Sequence, residues 1–292
     1  MPADRSASDS RTMRVMTWNL WYEFGPFERR REAIRRVIAR ENPDIVCLQE
    51  VFGVRNGTEV RTFAHDLARD LGMHYFVSDG PWFPRRSSVD EGEETAMGNA
   101  ILSRWPIESH GQVTLPGKDS DAGYRKAVFA RVTTPWGAWP FVCTHLNHRF
   151  DESAVRVRQV DGLADLIRDL RGNSESDPPV ILGGDFNAVP DSDEIRRLTG
   201  RTEPRHTNLV LSDVWEQCGE GDGLTWRADN EYQADANWPN RRLDYLFVSW
   251  PRPKPMGHPR RAWLTGVESE NIDGRRVQPS DHAAVVADFR TG

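Results

Sequence analysis

The sequence predicts an α/β domain in which two β-sheets pack against each other and helices cover their outer faces. The order of elements is the first observation: it begins β-α-β, passes through a strand-rich middle and returns to strands. The second is that the apolar segments are short and bounded by turn residues. The third is that no repeat or linker interrupts the 292 residues. One domain is therefore expected over residues 13–292, after a disordered tail at 1–12.

Each element follows from the spacing of apolar residues, which is about 3.6 in helices and 2 in strands. The predicted elements, in order, are a strand at 13–18, a helix at 27–40, a strand at 44–49, a helix at 60–71, a polar loop at 78–96, strands at 98–103, 107–114, 126–133 and 139–145, a helix at 155–170, a strand with a terminal turn at 178–187, a short helix at 191–199, a loop rich in tryptophan at 212–240, and strands at 243–249 and 282–289.

Composition narrows the functional classes. No run of about 18 apolar residues exists, so no transmembrane helix is expected. The three cysteines, Cys47, Cys143 and Cys218, have no CxxC spacing, which argues against disulfides or a cysteine-rich zinc site and favours the reducing cytoplasm. A net charge of -6 disfavours a tight clamp on duplex DNA, which usually needs a basic surplus. The acidic charge does not exclude anionic substrates if a bound cation supplies positive charge.

Polar side chains lie at the end of nearly every apolar strand. Taken singly, each has an ordinary explanation, such as a turn residue that bonds its own backbone. Together they predict a site at the strand ends, where strands hold the side chains rigidly and the loops beyond supply specificity. These residues are Asn19, Glu50, His145, Asp185, Asn187, Asp244, Asp281 and His282.

Seven short motifs follow the order found in the endonuclease/exonuclease/phosphatase superfamily, the deoxyribonuclease-I-like fold, and the chain resembles that family. The motifs are TWN (17–19), LQE (48–50), GNAILSR (98–104), THL (144–146), GGDFN (183–187), RLDYLFVS (242–249) and SDH (280–282). The resemblance implies a four-layer α/β sandwich of two packed, mostly antiparallel sheets flanked by helices. It also implies divalent-metal-dependent cleavage of a phosphate ester at one end of the sheets.

The resemblance assigns three residues to a metal. Glu50 is the expected ligand, Asn19 is a ligand or an orienting amide, and Asp281 completes or supports the shell. A hard cation takes oxygen ligands and polarises a phosphoryl oxygen. Mg²⁺ is the expected ion, with Mn²⁺ as the alternative.

The resemblance also assigns catalytic residues. Asp185 matches the residue that activates the attacking water, and Asn187 is placed to hold water or phosphate. His282 matches the histidine at the scissile phosphate, as base or charge stabiliser, with Asp244 as its carboxylate partner. Asp185 and His282 are assigned as a set, because the sequence does not identify the base. His145 is expected to donate to a nonbridging oxygen or to protonate the leaving group, as in the nuclease, sphingomyelinase and inositol-phosphatase branches.

Loops next to these strand ends are expected to set the substrate. Asn99, Arg125 and Asn147 are the predicted substrate contacts, and His148 and Arg149 are expected to reach a second phosphate. Aromatic side chains there can stack on bases, cover sugars or enter lipid. The aromatic residues in question are Trp21, Tyr22, Phe24, Phe27, Trp82, Phe83, Tyr232 and Trp238, whereas Trp215 and Trp226 are expected in the core.

Three enzymatic functions remain open. The first is a phosphodiesterase or phosphatase, acting as a monomer on a small or single-stranded phosphate ester, a nucleotide included. The second is an endonuclease or exonuclease on DNA or RNA, which the acidic charge disfavours for duplex DNA. The third is a sphingomyelinase-like lipid phosphodiesterase, which the missing signal segment and apolar hairpin disfavour. A non-catalytic binding module is also conceivable, but every expected catalytic position is filled.

Overall fold

The computed structural model describes residues 11–85, 92–117, 125–233, 237–250 and 254–292. Two sheets are stacked, and helices cover the outer face of each, so the layers run helix, sheet, sheet, helix. This confirms the predicted α/β sandwich. Most of the predicted tail at 1–12 lies outside the described residues, and Thr12 already belongs to the first strand.

The helices and strands account for most of the described chain. In chain order they are β1 (Thr12–Asn19), α1 (Phe27–Glu41), β2 (Ile45–Asn56), β3 (Glu59–Thr62), α2 (Phe63–Leu71), β4 (His74–Val77), β5 (Phe83–Pro84), β6 (Glu93–Ser103), β7 (Ile107–Thr114), β8 (Lys126–Thr134), β9 (Gly137–His145), α3 (Ser153–Leu170), β10 (Ile181–Asp185), α4 (Asp193–Leu198), β11 (Val210–Asp213), α5 (Val214–Cys218), β12 (Asp244–Trp250), β13 (Pro259–Thr265), β14 (Glu270–Ile272), β15 (Arg275–Val277) and β16 (Ala284–Arg290).

Each sheet has one parallel pair of strands near its centre. The first sheet runs β13-β16-β1-β2-β6-β4, with β3 beside β2 and β5 beside β6. The second runs β11-β12-β10-β9-β8-β7, and β14 and β15 form a separate hairpin. β1 is parallel to β2, and β9 is parallel to β10, whereas the other pairs of these described strands are antiparallel. The predicted, mostly antiparallel character is confirmed.

Three apolar layers hold the sandwich together. Cys47, Phe141 and Leu246 belong to the layer between the sheets. The apolar stripe of α1 and one face of α2 pack on the outside of the first sheet, and α3 and α4 cover the second in the same way. Burying such faces is the main stabilising contribution to a fold of this kind. No helix of the described ranges is long and apolar enough to cross a bilayer.

Several predicted boundaries were wrong for local reasons. The helix predicted from residue 60 begins at Phe63, because residues 59–62 pair with β2 and the Thr62 hydroxyl caps the helix. The polar segment at 78–96 contains β5 and the start of β6, although residues 86–91 lie outside the described chain. Trp215 is buried as expected, but Trp226 is only half-buried.

The register of the strands brings the predicted site residues to one edge. Asp185 pairs with His145 on β9 and with Asp244 on β12. In the first sheet, Asn19 ends β1 next to Gln49 on β2. The β2–β6 ladder shifts register between Leu48 and Val51, and Glu50 within this bulge has φ 51. A bulge redirects a side chain out of the regular alternation, and here the redirected side chain is the predicted metal ligand.

Candidate active site

Asn19 connects carboxylates from the two sheets. Its amide Nδ2 donates to Asp185 Oδ2 at 2.9 Å and to Glu50 Oε1 at 3.2 Å. Its Oδ1 accepts from the backbone N–H of Trp21 at 2.9 Å. Because both ends of the amide are engaged, Asn19 fixes the separation of the two carboxylates. This geometry supports the orienting role rather than direct ligation.

His282 and Asp244 form a buried pair. Nδ1 of His282 donates to Asp244 Oδ2 at 2.8 Å, since an ionised carboxylate only accepts. The opposite nitrogen, Nε2, lies 3.9 Å from Asp185 Oδ2. The His282 carbonyl accepts from Trp18 Nε1 at 2.9 Å, and its N–H donates to Ser280 Oγ at 3.2 Å. The imidazole is therefore held with Nε2 towards Asp185.

His145 and Asn187 form a second imidazole–amide pair. Nδ2 of Asn187 lies 3.0 Å from His145 Nε2 and donates to the Leu146 carbonyl at 3.3 Å. Since that carbonyl only accepts, the amide nitrogen is a donor, and His145 Nε2 is its acceptor. The Asn187 backbone N–H donates to Asp185 Oδ1 at 2.8 Å. A neutral His145 therefore carries its proton on Nδ1, and donation from Nε2 requires a second proton.

Asp281 approaches the site from the segment before β16. Its Oδ2 accepts from Gln233 Nε2 at 2.8 Å, and its Oδ1 lies 3.4 Å from Ser280 Oγ. The Ser280 hydroxyl donates to the Asn19 carbonyl at 2.7 Å. Gln233 thus orients Asp281, and Ser280, whose single hydroxyl proton goes to Asn19, ties the segment to β1.

Burial raises the pKa values of three carboxylates at the site. Burial and, next to it, the neighbouring charge of Asp244 raise the pKa of Asp185 to about 6. Burial also raises the pKa of Asp281 to about 6, with Glu50 adding to the rise. The pKa of Glu50 is raised by burial, against the hydrogen bond from Asn19. The positive charge of His282 offsets part of the rise at all three carboxylates.

The two histidines differ in charge. Burial acts to lower the pKa of His282, but the carboxylates of Asp244 and Asp281 outweigh it and raise that pKa well above its ordinary value. Burial lowers the pKa of His145 well below its ordinary value, and the Arg125 charge lowers it further. His282 is therefore an imidazolium at neutral pH, whereas His145 is neutral.

The donor set fits a hard divalent cation. Carboxylate oxygens are the ligands that Mg²⁺ prefers. Asp244 Oδ1 is buried and has no hydrogen-bond partner among the described residues. Asp185, Asp244 and His282 also place potential ligand atoms within 4.8 Å of one another. Within this group, His282 Nδ1 is already bonded to Asp244 Oδ2.

A cavity of about 350 Å³ opens beside this cluster. Glu50, His145, Asn99 and Arg125 line it. Asn147 does not belong to its lining: it is 5% exposed, and its Oδ1 accepts from the Arg149 N–H at 2.9 Å. The structure therefore brings Asn99 and Arg125 to the site and gives Asn147 a role in the turn.

Sequence reasoning missed several residues that shape the site. Lys126, Met97 and Ser78 line the same cavity, and Gln233 holds Asp281. Lys126 follows Arg125 in a recognised segment, so its basic charge was a usable signal. Gln233 lies in a loop without a pattern, and nothing in its local sequence indicates the contact.

Comparison with known proteins agrees with this geometry. The chain is 32% identical over 190 residues to the uncharacterized protein YbhP of Escherichia coli (strain K12), which is 60% of this chain and 67% of that protein. The structure of D. rerio TDP2 complexed with single strand DNA product has a TM-score of 0.71 at 20% identity, covering 96% of this chain and 99% of that one.

A second solved structure, the human Nocturnin catalytic domain with bound sulfate anion, has a TM-score of 0.63 at 23% identity and covers 96% of this chain and 93% of that one. At these identities the two structures show a shared fold. The sequence also matches the family model described as Endonuclease/Exonuclease/phosphatase family over residues 16–282. That match spans nearly the whole chain, and the protein belongs to this family of phosphate-ester hydrolases.

Proposed function

We propose that the protein is a divalent-metal-dependent phosphoesterase that hydrolyses a phosphodiester or phosphomonoester by in-line attack of water. The observation that carries the proposal is the hydrogen-bonded chain from Glu50 through Asn19 to Asp185, beside the Asp244–His282 pair. The first group offers carboxylates to a cation. The second offers a fixed positive charge, and Nε2 of His282 lies 3.9 Å from Oδ2 of Asp185, the proton acceptor.

In this mechanism Asp185 accepts the proton of the attacking water. A pKa near 6 makes it a stronger base than an exposed aspartate, yet leaves it ionised at neutral pH. Nε2 of His282 donates to the phosphoryl oxygen that gains charge as the water adds. A neutral His145 carries its proton on Nδ1, and it donates to the substrate from Nε2 once that nitrogen has taken up a proton; Asp185 Oδ2 lies 3.5 Å from Nε2.

Glu50 and Asp281 are the residues that would hold Mg²⁺, or alternatively Mn²⁺. When bound, the ion polarises the phosphoryl oxygen and offsets its negative charge. Asn19 orients Glu50, and Gln233 orients Asp281. Such supporting contacts tune both the affinity and the geometry of a metal site.

The favoured substrate is a small or single-stranded phosphate ester. A net charge of -6 disfavours tight binding of a duplex. The fold is shared with D. rerio TDP2, whose structure contains a single strand DNA product. A nuclease on DNA or RNA and a sphingomyelinase-like lipid phosphodiesterase are the alternatives. A binding module is disfavoured because all predicted catalytic side chains are present.

Hydrolysis of bis(p-nitrophenyl) phosphate tests the reaction. The wild type should hydrolyse it in the presence of Mg²⁺, and hydrolysis should stop when EDTA is added. Asp185→Asn should lower kcat by about a hundredfold or more, the effect expected of losing a general base. Asp193→Asn is a matched control, because Asp193 is 73% exposed, and it should retain full activity. Unchanged hydrolysis in Asp185→Asn would contradict the mechanism.

A substrate panel separates the alternatives. Plasmid DNA, single-stranded oligonucleotides, sphingomyelin, inositol phosphates and nucleotides are compared at equal enzyme concentration and fixed salt. The proposal expects the highest kcat/KM for a nucleotide, an inositol phosphate or a single strand. Rapid plasmid nicking at physiological salt would instead favour the duplex nuclease.

The cellular setting is part of the same proposal. Cys47, Cys143 and Cys218 are free thiols, which suits a reducing cytoplasm. A monomer is proposed because the residues of one chain supply the whole candidate site. Light scattering after size-exclusion chromatography measures the mass against 33.3 kDa.

A further inference from the structure

The cavity beside the catalytic cluster concentrates positive charge in an acidic protein. Two basic side chains, Arg125 and Lys126, line it beside the imidazole of His148, with Glu50 as the one carboxylate among the described lining residues, whereas the whole chain has a net charge of -6. Cations gathered in a cleft raise the local concentration of anions. Phe24 and Met97 add an apolar wall. The cavity thus combines an anion-attracting part with a part that suits an organic group.

Arg125 and His148 form a donor pair across two loops. Nη2 of Arg125 lies 3.1 Å from His148 Nδ1. A guanidinium has only N–H donors, so Nδ1 must be the acceptor, and the neutral imidazole then carries its proton on Nε2. Apart from this bond, the polar hydrogens of the two side chains are N–H donors, on the guanidinium of Arg125 and on Nε2 of His148. That chemistry matches phosphate oxygens, which only accept when fully ionised.

The backbone beneath this pair is held by contacts between the sheets. The Lys126 ammonium donates to the Gly80 carbonyl at 2.8 Å and to the Asp79 carbonyl. The Lys126 carbonyl accepts from Asn99 Nδ2 at 2.7 Å. These bonds connect β8 of the second sheet to the segment after β4 and to β6. Arg125, next to Lys126, is thereby anchored at a fixed distance from Glu50.

Gly98 also lines the cavity, and its lack of a side chain leaves room for Ser78. A Cβ at this position would lie 2.7 Å from Ser78 Oγ, too close without a shift. Ser78 in turn accepts from the Asn99 N–H at 3.0 Å. The absence of a side chain at Gly98 therefore preserves both the cavity wall and the position of Asn99.

We propose that this cavity binds a second phosphate of the substrate through Arg125 and His148, so that the protein selects phosphate esters carrying another phosphate close to the scissile one. This specificity rests on the proposed function, because the scissile phosphate is placed at Glu50 and Asp185. Arg149, expected from the sequence to share this role, does not line the cavity. Phe24 and Met97 contact the organic group that joins the two phosphates.

Binding of two matched ligands tests the proposal without relying on turnover. Thymidine 3′,5′-bisphosphate and thymidine 5′-monophosphate differ only in the second phosphate. Isothermal titration calorimetry with Mg²⁺ compares them on wild type, Arg125→Gln and His148→Gln. Arg61→Gln is the control, because Arg61 is 73% exposed and pairs with Glu59. Circular dichroism confirms that each variant is folded.

The wild type should bind the bisphosphate about ten- to a hundredfold more tightly, as expected for charge-assisted hydrogen bonds to one phosphate. Arg125→Gln should remove most of this ratio, His148→Gln a smaller part, and Arg61→Gln none. Equal affinities in the wild type, or a ratio that survives in Arg125→Gln, would overturn the proposal.

A kinetic comparison separates this inference from the proposed function. The p-nitrophenyl ester of thymidine 5′-phosphate is hydrolysed with and without a 3′-phosphate, and the ratio of KM values is recorded. If wild type hydrolyses both with equal KM, only the second-phosphate proposal fails. If it hydrolyses neither, nor bis(p-nitrophenyl) phosphate, the proposed function fails, while the binding ratio still decides the inference.

Discussion

Two buried arginines organise the two loops beside the candidate site, and they do so differently. Arg30 is 0% exposed and donates to the carbonyls of four residues in the loop after β1 and to that of Pro279. Arg156 is 3% exposed and donates to carbonyls of the loop after β9. Its guanidinium also pairs with Glu194. The carbonyls bound by Arg30 in its loop are those of Leu20, Trp21, Tyr22 and Phe24, and those bound by Arg156 are Asn147, Arg149 and Phe150.

The difference lies in how each charge is balanced. Arg156 has a carboxylate in direct contact, whereas Arg30 makes no ion pair with the described residues. Burial lowers the pKa of Arg30 to about 10, while the charges of Asp281 and Glu50 act in the opposite direction. The Arg30 loop is therefore coupled electrostatically to the proposed metal ligands. The Arg156 loop is neutralised locally and is independent of the metal.

Removing Arg30 tests this comparison with the largest expected effect. Arg30→Leu should lower the free energy of unfolding by about 3–5 kcal/mol, because it leaves several buried carbonyls without donors. It should also abolish hydrolysis, since the loop after Asn19 loses its support. Urea unfolding measures the first effect. Arg36→Leu, at a side chain 44% exposed, is the control, and a loss as small as that of the control would contradict the assigned role.

Neutralising the partner of Arg156 should have the next largest effect. Glu194→Gln keeps hydrogen-bond acceptors but leaves the cation buried without a carboxylate, which should cost about 2–4 kcal/mol. The Mg²⁺ concentration at half-maximal activity should stay unchanged, because this loop is neutralised locally. Metal titration of the activity measures it. A large shift in Mg²⁺ dependence would remove the contrast between the two loops.

A single contact near Arg30 gives the smallest effect. Gln233→Ala removes the donor to Asp281 Oδ2 and should weaken apparent Mg²⁺ affinity by about tenfold, as loss of a supporting contact commonly does. Stability without metal should change little, because Gln233 is only half-buried. The rise of Tm with added Mg²⁺ measures binding directly. An unaltered metal dependence would remove Asp281 from the proposed shell.

The strand-end motifs predicted that these residues meet at one edge, because each motif has a local cause. An apolar strand followed by a polar residue is visible in sequence, and strands ending at one edge bring these residues together. Asp185, His145 and Asp244 became register neighbours in this way. The short strands β4 and β13 were missed, since edge strands carry a weak apolar pattern and are defined by pairing with β6 and β16.

The sequence did not predict that Arg30 is buried, for a related reason. Arg30 lies in a run of charged residues, FERRRE, that resembles the solvent face of a helix. Its burial depends on the loop after β1 folding back over α1, which supplies carbonyls from distant positions. Helical spacing alone does not distinguish it from Arg31, which remains partly exposed.

The sequence by itself determined the fold class, the order of the chemistry-bearing residues and the family resemblance. These depend on local apolar spacing and on short motifs. Only the tertiary structure decided which atoms meet: that Asn19 orients two carboxylates, that His145 accepts at Nε2, and that Arg125 joins His148 rather than Arg149. Proton positions and charge follow from burial and from partners far apart in sequence, so they are set when the two sheets pack together.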